Sequence, residues 1–279
     1  MRIALSHLTR LEYPEDVVES VMDARLGPHT DEDQRWERYA LDVAPTGAVR
    51  RYADAFGNVA HLITVARPHG AVEIVMSGEV HTLLDDPFRP PPARPAPLGP
   101  VERADYLDPS PLVPHDAELA ALAGPGRPAD PDDAFVACQR LTRIVYERFT
   151  YEPDVTTVAT TVRDVLAERT GVCQDFAHVL IGLCRVSGIP ARYVSGYIVI
   201  DAEPDAPHRG DRASHAWVEA YTPTHGWRGF DPTNDLVAND HYVKMAIGRD
   251  YRDVPPTRGT FRGQGDERLA VEVVTRLAP

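Results

Sequence analysis

Residues 170–190 read TGVCQDFAHVLIGLCRVSGIP, and this stretch decides the fold. From Phe176 to Val186, apolar side chains cover nearly every side of the segment. A helix that is apolar almost all round lies inside a protein rather than on its surface. Gly188 followed by Pro190 is a stop signal for such a helix. The sequence therefore predicts one buried central helix, against which the rest of the chain must pack.

Cys173 is expected in the first turn of this helix, with Thr170 or Gly171 as the N-cap. The unpaired N–H groups and the positive end of the helix dipole at that position favour a thiolate over a thiol. A small buried hydrophobe is the ordinary alternative for a free cysteine. Cys184 fits that alternative, because it lies about three turns further along the same face, too far from Cys173 for a disulfide. Cys173 is thus a candidate nucleophile.

The composition narrows the class of protein. At 279 residues, 43% of them hydrophobic, the chain is long enough for two domains with a substantial core. The net charge of −13, spread along the chain, argues against nucleic acid and against anionic membrane surfaces as partners. The N-terminus lacks the apolar run of a signal peptide, and no run is long enough to span a bilayer. The cysteines form no close pairs in sequence, which fits a reducing compartment, so we expect a cytoplasmic protein.

The first third of the chain consists of short alternating apolar and polar runs separated by turn signals. Several short strands of this kind predict an antiparallel β-sandwich-like domain over residues 1–86. The Pro-rich stretch 87–100 follows as a stiff, extended linker. Residues 101–279 are then expected to form the second domain.

Strand candidates return after the central helix. Residues 191–200 are rich in β-branched and aromatic side chains, and residues 201–213 read as a surface loop of a length that is often functional. Residues 214–221 alternate in polarity, as a strand with two different faces does. A turn at residues 223–226 leads into a second strand over residues 227–231.

These elements carry the residue types that thiol catalysis needs. A thiol nucleophile requires a base to accept its proton, and the base requires an acceptor that fixes its tautomer. Cys173, His215 and Asp231 supply nucleophile, base and orienting carboxylate in that chain order. The ordinary alternative for His215 is a half-buried histidine of a sheet, and for Asp231 it is a turn residue before Pro232. The joint occurrence of all three favours a catalytic triad.

Four sequence blocks resemble the core of the bacterial transglutaminase-like family. They are GVCQDFAH (171–178), GIPARYVSGY (188–197), HAWVE (215–219) and WRGFDPT (227–233), in this order. The resemblance is strong over about residues 130–235, and the N-terminal β region is also similar to one subgroup. It implies an α+β fold in which the β-sandwich-like domain precedes a papain-like core. In that core a central helix with the nucleophile packs on an antiparallel sheet carrying histidine and aspartate.

The resemblance also implies a reaction on a peptide or protein amide. The Cys173 thiolate would attack the carbonyl, release the amine and leave a thioester. His215 would act as base and then acid, and Asp231 as the orienting carboxylate. The thioester then passes to water or to another amine. Hydrolysis is favoured, because a cytoplasmic enzyme without an evident amine-binding signature meets far more water than amine.

An oxyanion hole is required for this chemistry. Its expected donors are the backbone N–H of Cys173 and the hydroxyl of Tyr151, although a packed aromatic with a solvated hydroxyl is an ordinary alternative for Tyr151. Trp217 and Gln174 are candidates for lining the substrate cleft.

Two other classes of function stay open. A non-catalytic peptide-binding module on the same scaffold is disfavoured by the intact triad. A zinc-dependent hydrolase could use Cys173 with nearby histidines, but zinc ligands usually come in closely spaced pairs, and Cys173 and His178 lie on different faces of one helix. We expect no metal and no cofactor, and the sequence leaves a homo-oligomer open.

The pleat of the sheet makes a further prediction. His215 and Asp231 must lie on the same face to share a hydrogen bond, and a slip of one residue would turn Asp231 away. A five-residue connection, or a bulge with the same effect on parity, pairs Tyr221 with Trp227 and sets Asp231 opposite Trp217. We predict this register, with Trp217 packed beside the triad. A connection with an even number of residues would turn Asp231 to the other face, and the nearby Asp235 would then be the next candidate for the orienting carboxylate.

Overall fold

The computed structural model describes residues 1–199 and 214–278 and has the α+β architecture that the sequence predicts. Strands come first: β1 (Arg2–Val17), β2 (Glu19–Ala24), β3 (Gln34–Ala44), β4 (Ala48–Ala53), β5 (Val59–Val65) and β6 (His69–Thr82). In β1, every second side chain from Ile3 to Leu11 is buried, as expected of a strand with one covered face. The surface loop predicted over residues 201–213 lies outside the described residues.

Helices and shorter strands follow. They are α1 (Pro100–Leu107), α2 (Ala117–Ala123), α3 (Ala134–Arg148), β7 (Thr150–Tyr151), α4 (Val162–Glu168), β8 (Thr170–Gly171), α5 (Cys173–Val186), β9 (Ala191–Ile198), β10 (His215–Thr222), β11 (Gly226–Asp231), β12 (Leu236–Val237), β13 (Tyr242–Gly248), β14 (Thr257–Arg262) and β15 (Arg268–Leu277). None of the helices in the described ranges is long and apolar enough to cross a membrane.

The Pro-rich linker runs along the β10–β11 hairpin. Residues 83–99 form neither helix nor strand. The Tyr221 hydroxyl donates a hydrogen bond to the Ala96 carbonyl, and His225 Nε2 donates to the Phe88 carbonyl at 3.2 Å. These hydrogen bonds hold the linker against the second half of the molecule.

The central helix α5 is buried on every side from Asp175 to Arg185, as its composition predicts. It packs on the five-stranded sheet with strand order β12-β11-β10-β9-β13. Ala216, Val218 and Ala220 of β10 belong to the same hydrophobic cluster as the helix. These alternate residues form the sheet face that α5 covers, so the neighbouring odd-numbered residues of β10 point to the other face.

The start of α5 corrects one prediction. The helix begins at Cys173, but its N-cap is Val172 rather than Thr170 or Gly171. Thr170 and Gly171 form β8 and pair in parallel with β7, so their backbone groups are engaged in a ladder. The Asp175 carboxylate accepts the Val172 N–H at 2.9 Å, which satisfies a backbone donor at the helix start without a serine or threonine cap.

Two four-stranded antiparallel sheets form the N-terminal sandwich, with strand orders β15-β1-β6-β3 and β14-β2-β5-β4. Because β14 pairs with β2 and β15 with β1, residues 257–277 belong to these sheets. The predicted division, which places all of residues 101–279 in the second domain, is therefore wrong for this segment. An alternating pattern shows that a strand is present but does not specify which sheet it joins.

The sandwich and the core sheet share one hydrophobic cluster. Four residues of the core sheet region are buried together with sandwich residues such as Ile63: Tyr197 on β9, Val199 just after it, and Val243 and Met245 on β13. The two parts of the chain cannot separate without exposing these side chains to water. The sandwich is therefore a structural neighbour of the core sheet rather than a loosely tethered module.

Two amide side chains from the sandwich pair with the edge of the core sheet. Gln34 donates to the Lys244 carbonyl and accepts the Lys244 N–H, both at 2.8 Å. Asn58 makes the same double hydrogen bond with Ile247, again at 2.8 Å in each direction. Because β13 is the last strand of its sheet, these amides replace a neighbouring strand and satisfy buried backbone groups.

Replacing Asn58 by alanine tests this pairing. We expect Asn58→Ala to lower the free energy of unfolding by about 1 to 3 kcal/mol, because the buried N–H and C=O of Ile247 lose their partners. Urea unfolding followed by circular dichroism measures the change. Gln264→Ala, at an exposed position between β14 and β15, is the control and should have little effect. Equal unfolding midpoints for the two variants would contradict the role of Asn58.

Candidate active site

The β10–β11 hairpin has the predicted register. Tyr221 pairs with Trp227, and continuing the ladder places Asp231 on the face of β11 that the prediction requires. The strands pair as far as Thr222 and Gly226, one pair further into the turn than expected. The connection is therefore residues 223–225, which is again an odd number of residues and leaves the register unchanged. Gly226, with φ of 72°, supplies the left-handed conformation that ends this odd connection.

His215 and Asp231 consequently meet on one face of the sheet. His215 Nε2 donates to Asp231 Oδ2 at 2.9 Å, and both side chains are buried. Trp217, opposite Asp231 in this register, stacks on the His215 ring with centroids 6.2 Å apart and 20° between the planes. This confirms the predicted packing of Trp217. The indole is only 1% exposed, so it packs against the imidazole inside the protein. This corrects the expectation that Trp217 lines the substrate cleft.

The Asp231 carboxylate accepts hydrogen bonds at both oxygens. Oδ1 accepts the backbone N–H groups of Thr233 at 2.9 Å and Asn234 at 3.3 Å. Oδ2, besides His215, accepts the Asn234 side-chain amide at 2.9 Å and the Tyr242 hydroxyl at 2.8 Å. Burial would raise the pKa of Asp231, but the charge of His215 and these hydrogen bonds lower it. The carboxylate therefore stays ionised beside the imidazole.

The Cys173 thiol is the second partner of His215. Burial alone would lower the pKa of His215, whereas the Asp231 carboxylate and a hydrogen bond with the Cys173 side chain raise it to about 10. Because Asp231 engages Nε2, Nδ1 is the ring nitrogen left for the thiol. This arrangement favours an imidazolium beside the Asp231 carboxylate.

Cys173 differs from the other two cysteines in exposure. It is half-buried at the first residue of α5, whereas Cys138 and Cys184 are fully buried in the core. Although distant in sequence, Cys138 and Cys184 contact each other, and burial together with this contact raises the pKa of Cys138. All three are free thiols. Cys173 alone combines solvent access with a helix N-terminus.

The candidates Tyr151 and Gln174 lie around the start of α5. Tyr151 on β7 pairs with Gly171 of β8, just before Cys173. Its ring packs edge-on against Phe176, with centroids 6.1 Å apart and 87° between the planes. Gln174 is half-buried beside the nucleophile candidate. Tyr151 is therefore near Cys173 through the β7–β8 pairing, and Gln174 is its neighbour in the sequence.

Two other residues considered from the sequence have separate partners. His178 Nε2 accepts the Tyr251 N–H at 3.1 Å. Asp235, the alternative acid, forms an ion pair with Arg143 at 2.6 Å. Among residues 1–199 and 214–278, no group of three or more histidine, cysteine, aspartate or glutamate side chains is placed to hold a metal ion.

Comparisons with known proteins identify the family. Residues 125–232 match the Transglutaminase-like superfamily, and residues 3–81 match the Bacterial transglutaminase-like N-terminal region. An uncharacterized protein of Mycobacterium leprae (strain TN) is 32% identical over 282 residues, covering 99% of each chain. The chain belongs to the transglutaminase-like superfamily. An uncharacterized protein of Mycobacterium tuberculosis (strain ATCC 25618 / H37Rv) is 34% identical over 299 residues, covering 100% of this chain and 93% of that protein.

Similarity to a solved structure extends over both parts of this transglutaminase-like chain. The crystal structure of a proposed cysteine protease from Cytophaga hutchinsonii has a TM-score of 0.78 at 24% identity, covering 99% of this chain and 90% of that one. The shared fold therefore includes the N-terminal sandwich. The Protein-glutamine gamma-glutamyltransferase of Pseudomonas aeruginosa is 36% identical over 151 residues, which are 47% of this chain and 22% of that protein.

Two residues of the transglutaminase-like site were missed by the sequence analysis. Asn234 and Tyr242 both donate to Asp231 Oδ2. Asn234 follows in the run Asp231-Pro-Thr-Asn234, where local turn hydrogen bonds are common, so a turn analysis would have found it. Tyr242 comes from a different strand, and its ring packs edge-on against Trp217 with centroids 5.2 Å apart. Nothing in the local sequence pattern links it to the site.

The Tyr242 hydroxyl and the His215 ring share one carboxylate oxygen, so removing the hydroxyl should change the basicity of His215. The hydroxyl stabilises the negative charge of Asp231, and without it the carboxylate attracts the imidazolium more strongly. We expect Tyr242→Phe to raise the pKa of His215 by roughly half to one pH unit, so the imidazolium persists to higher pH. NMR titration of histidine-labelled protein in a Cys173→Ala background measures this, because His215 then titrates without a coupled thiol.

The controls separate the hydroxyl from general structural change. Tyr221→Phe removes a hydroxyl that donates to the Ala96 carbonyl, away from the carboxylate, and should leave the pKa of His215 unchanged. Asp231→Asn should lower that pKa, and His215→Gln assigns the resonance. An unchanged or lowered pKa in Tyr242→Phe would contradict the effect ascribed to the hydroxyl.

Proposed function

We propose that this chain is a transglutaminase-like cysteine enzyme that cleaves or transfers amide bonds of peptides or proteins through a thioester on Cys173. The observation that carries the proposal is the position of His215, bonded to Asp231 at 2.9 Å and to the thiol at the start of α5. A nucleophile, a base and an acceptor that orients the base are the groups that covalent acyl transfer needs.

In the proposed cycle, the Cys173 thiolate attacks the amide carbonyl carbon. A C–S bond forms, and the carbonyl electron pair moves onto oxygen. His215 then gives its proton to the leaving nitrogen as the C–N bond breaks, which leaves a thioester on the enzyme. In the second half, water or an amine attacks the thioester carbon and gives a proton to His215. The C–S bond then breaks, which releases the acid or the new amide and restores the Cys173 thiolate. Asp231 keeps the imidazole oriented throughout, and its charge stabilises the imidazolium.

The oxyanion is proposed to form at the start of α5. The first N–H groups of a helix have no intrahelical acceptor, and they carry the positive end of the helix dipole. The Asp175 carboxylate takes the Val172 N–H, so the next N–H along, that of Cys173, is proposed as one donor. Tyr151 is proposed as the second donor, because β7 runs beside β8 directly before the helix. Gln174 is proposed to contact the substrate at the rim.

Hydrolysis is proposed as the main fate of the thioester, because water is by far the more abundant acceptor. Amine transfer is the alternative fate, and the similarity to the Protein-glutamine gamma-glutamyltransferase of Pseudomonas aeruginosa supports including it in any assay. Both fates use the same thioester and the same base. The role of Cys173 as nucleophile can therefore be tested separately from the choice between water and amine as acyl acceptor.

Alkylation tests the nucleophile without knowledge of the substrate. Iodoacetamide near neutral pH should modify Cys173 well before Cys138 or Cys184, because only Cys173 is accessible and paired with an imidazole. Peptide mapping by mass spectrometry measures the order of labelling. His215→Ala should slow the labelling of Cys173, since the thiolate loses its counter-ion. Preferential labelling of Cys184 would overturn the assignment.

Acyl-enzyme formation tests the reaction. We expect an acyl adduct on the intact protein after acid quenching of reactions with a panel of glutaminyl and isopeptide substrates. Cys173→Ala should form no adduct and lose activity by about 10⁴-fold or more, while keeping the fold, because only a small side chain at the helix start changes. Absence of an adduct across the panel, together with turnover by Cys173→Ala, would rule out the thioester mechanism.

The same reactions decide between the two acceptors. With a primary amine at millimolar concentration, product analysis should give more free acid than amide. Amine incorporation that exceeds the free acid would reverse the proposed order of the two fates.

A further inference from the structure

The last strand of the sandwich, β15, has an open edge. It pairs with β1 on one side, and within the described ranges it is the end strand of its sheet. The Ala278 N–H bonds to the Arg2 carbonyl. Since backbone groups alternate in direction along an antiparallel strand, the even-numbered residues of β15 face β1 and the odd-numbered residues direct their N–H and C=O groups to the open edge.

An apolar stripe runs along the same strand. Leu269, Val271 and Leu277 are 55%, 43% and 49% exposed, yet Leu11 and Ile3, which pair with the first and last of them on β1, are buried. The stripe therefore continues the inner face of the sandwich past the point where the opposite sheet covers it. A long, exposed and apolar edge strand is a template for pairing with another strand.

The charges on the other face of β15 are complementary to a second copy of the same strand. Glu272 and Arg276 are both exposed and point to the outer face. If two β15 strands pair antiparallel with Val274 on the twofold axis, Glu272 of each copy lies opposite Arg276 of the other. The same register sets Val271 opposite Leu277, which joins the two apolar stripes.

The hydrogen-bonding pattern is consistent with this register. The facing odd-numbered residues are those whose backbone groups are open, so they form the hydrogen-bonded pairs. Glu272 and Arg276 then fall in the non-hydrogen-bonded pairs, where facing side chains are closest. A register centred on Ala270 would also pair opposite charges, Arg268 with Glu272, but only residues 268–272 of each strand would then face one another.

We propose that β15 is a homodimer interface, through which two copies join their four-stranded sheets into one continuous sheet. The occupant of the open edge is a second copy of this chain, because the strand is complementary to itself in charge, apolar pattern and backbone direction. One pair of strands buries less surface than a standard stable interface, so the dimer is a reversible one with a dissociation constant in the micromolar range.

Sedimentation equilibrium over protein concentrations of about 1 to 500 μM tests the proposal. The wild-type chain should show a reversible monomer–dimer equilibrium. Glu272→Arg and Arg276→Glu should each raise the dissociation constant by about tenfold to a hundredfold, because each places like charges opposite one another twice in the symmetric pair. The double variant Glu272→Arg/Arg276→Glu restores opposite charges and should recover dimerisation.

A mixture of the two single variants gives the sharpest outcome. In the mixed pair, the arginine introduced at position 272 of one chain faces the glutamate introduced at position 276 of the other. The unchanged Arg276 of the first chain faces the unchanged Glu272 of the second, so heterodimers should form where neither variant dimerises alone. Arg258→Glu reverses an exposed charge on β14, the end strand of the other sheet, and should have no effect. Circular dichroism of each variant confirms the fold.

Two results would overturn the proposal. One is a wild-type chain that stays monomeric over the whole concentration range. The other is a dimer whose dissociation constant is the same in the wild-type, Glu272→Arg and Arg276→Glu chains.

Discussion

The hydrogen bond between His215 and Asp231 is the interaction on which the arrangement of the core sheet depends. Both side chains are buried, and an ionised carboxylate in such a place costs several kcal/mol unless its oxygens are satisfied. The fold satisfies them from three directions: the adjacent strand β10, the turn after β11, and Tyr242 on β13. The hairpin register, the turn and the placement of β13 must therefore all be correct together for the Asp231 carboxylate to be satisfied. A slip in any of them leaves a buried charge with too few donors.

This coupling gives the N-terminal sandwich an indirect part in the site. Tyr242 opens β13, two residues before Lys244, whose backbone is paired with Gln34. Asn58 secures the same strand at Ile247, near its other end. Because Val243 and Met245 of β13 are buried in the sandwich core, the strand cannot shift relative to the sandwich without losing both apolar burial and hydrogen bonds. The hydroxyl that bonds the carboxylate is thus positioned by residues far from the thiol.

The sequence was most informative where the signal is local or periodic. The apolar run around α5 predicts a buried helix, and the alternation of β10 with the parity of its turn predicts the side on which Asp231 lies. Local sequence patterns do not predict features that depend on distant partners. The engagement of Thr170 and Gly171 in a ladder with β7, and the joining of β15 to β1, depend on which strands meet in space. Tyr242 was missed for the same reason.

Behind Trp217, the same face of the sheet carries a buried ionic network. Glu219 accepts hydrogen bonds from Arg192 Nε and Lys244 Nζ, each at 2.8 Å, and the lysine also contacts Asp31 and Asp33. Three carboxylates thus share two cations. Asp33, whose distance to the lysine is 3.9 Å, is the least well compensated. The charge balance therefore predicts that one carboxyl holds its proton more tightly than the others.

The direction of the pKa shifts agrees with this charge balance. Burial, with repulsion from Asp31 and Glu219, raises the pKa of Asp33 to about 6 despite Lys244. Burial opposes ionisation of Glu219 as well, but Lys244 and Arg192 lower its pKa to about 2. A lowered carboxyl pKa contributes stability that is lost as the pH falls, whereas a raised one disfavours the fold as the pH rises through about 6. As the pH changes, ionisation of Asp33 and of Glu219 therefore changes the free energy of unfolding in opposite directions. Lys244 and Arg192 are placed to favour the ionised form of Glu219, which lies on the same strand as His215 and Trp217.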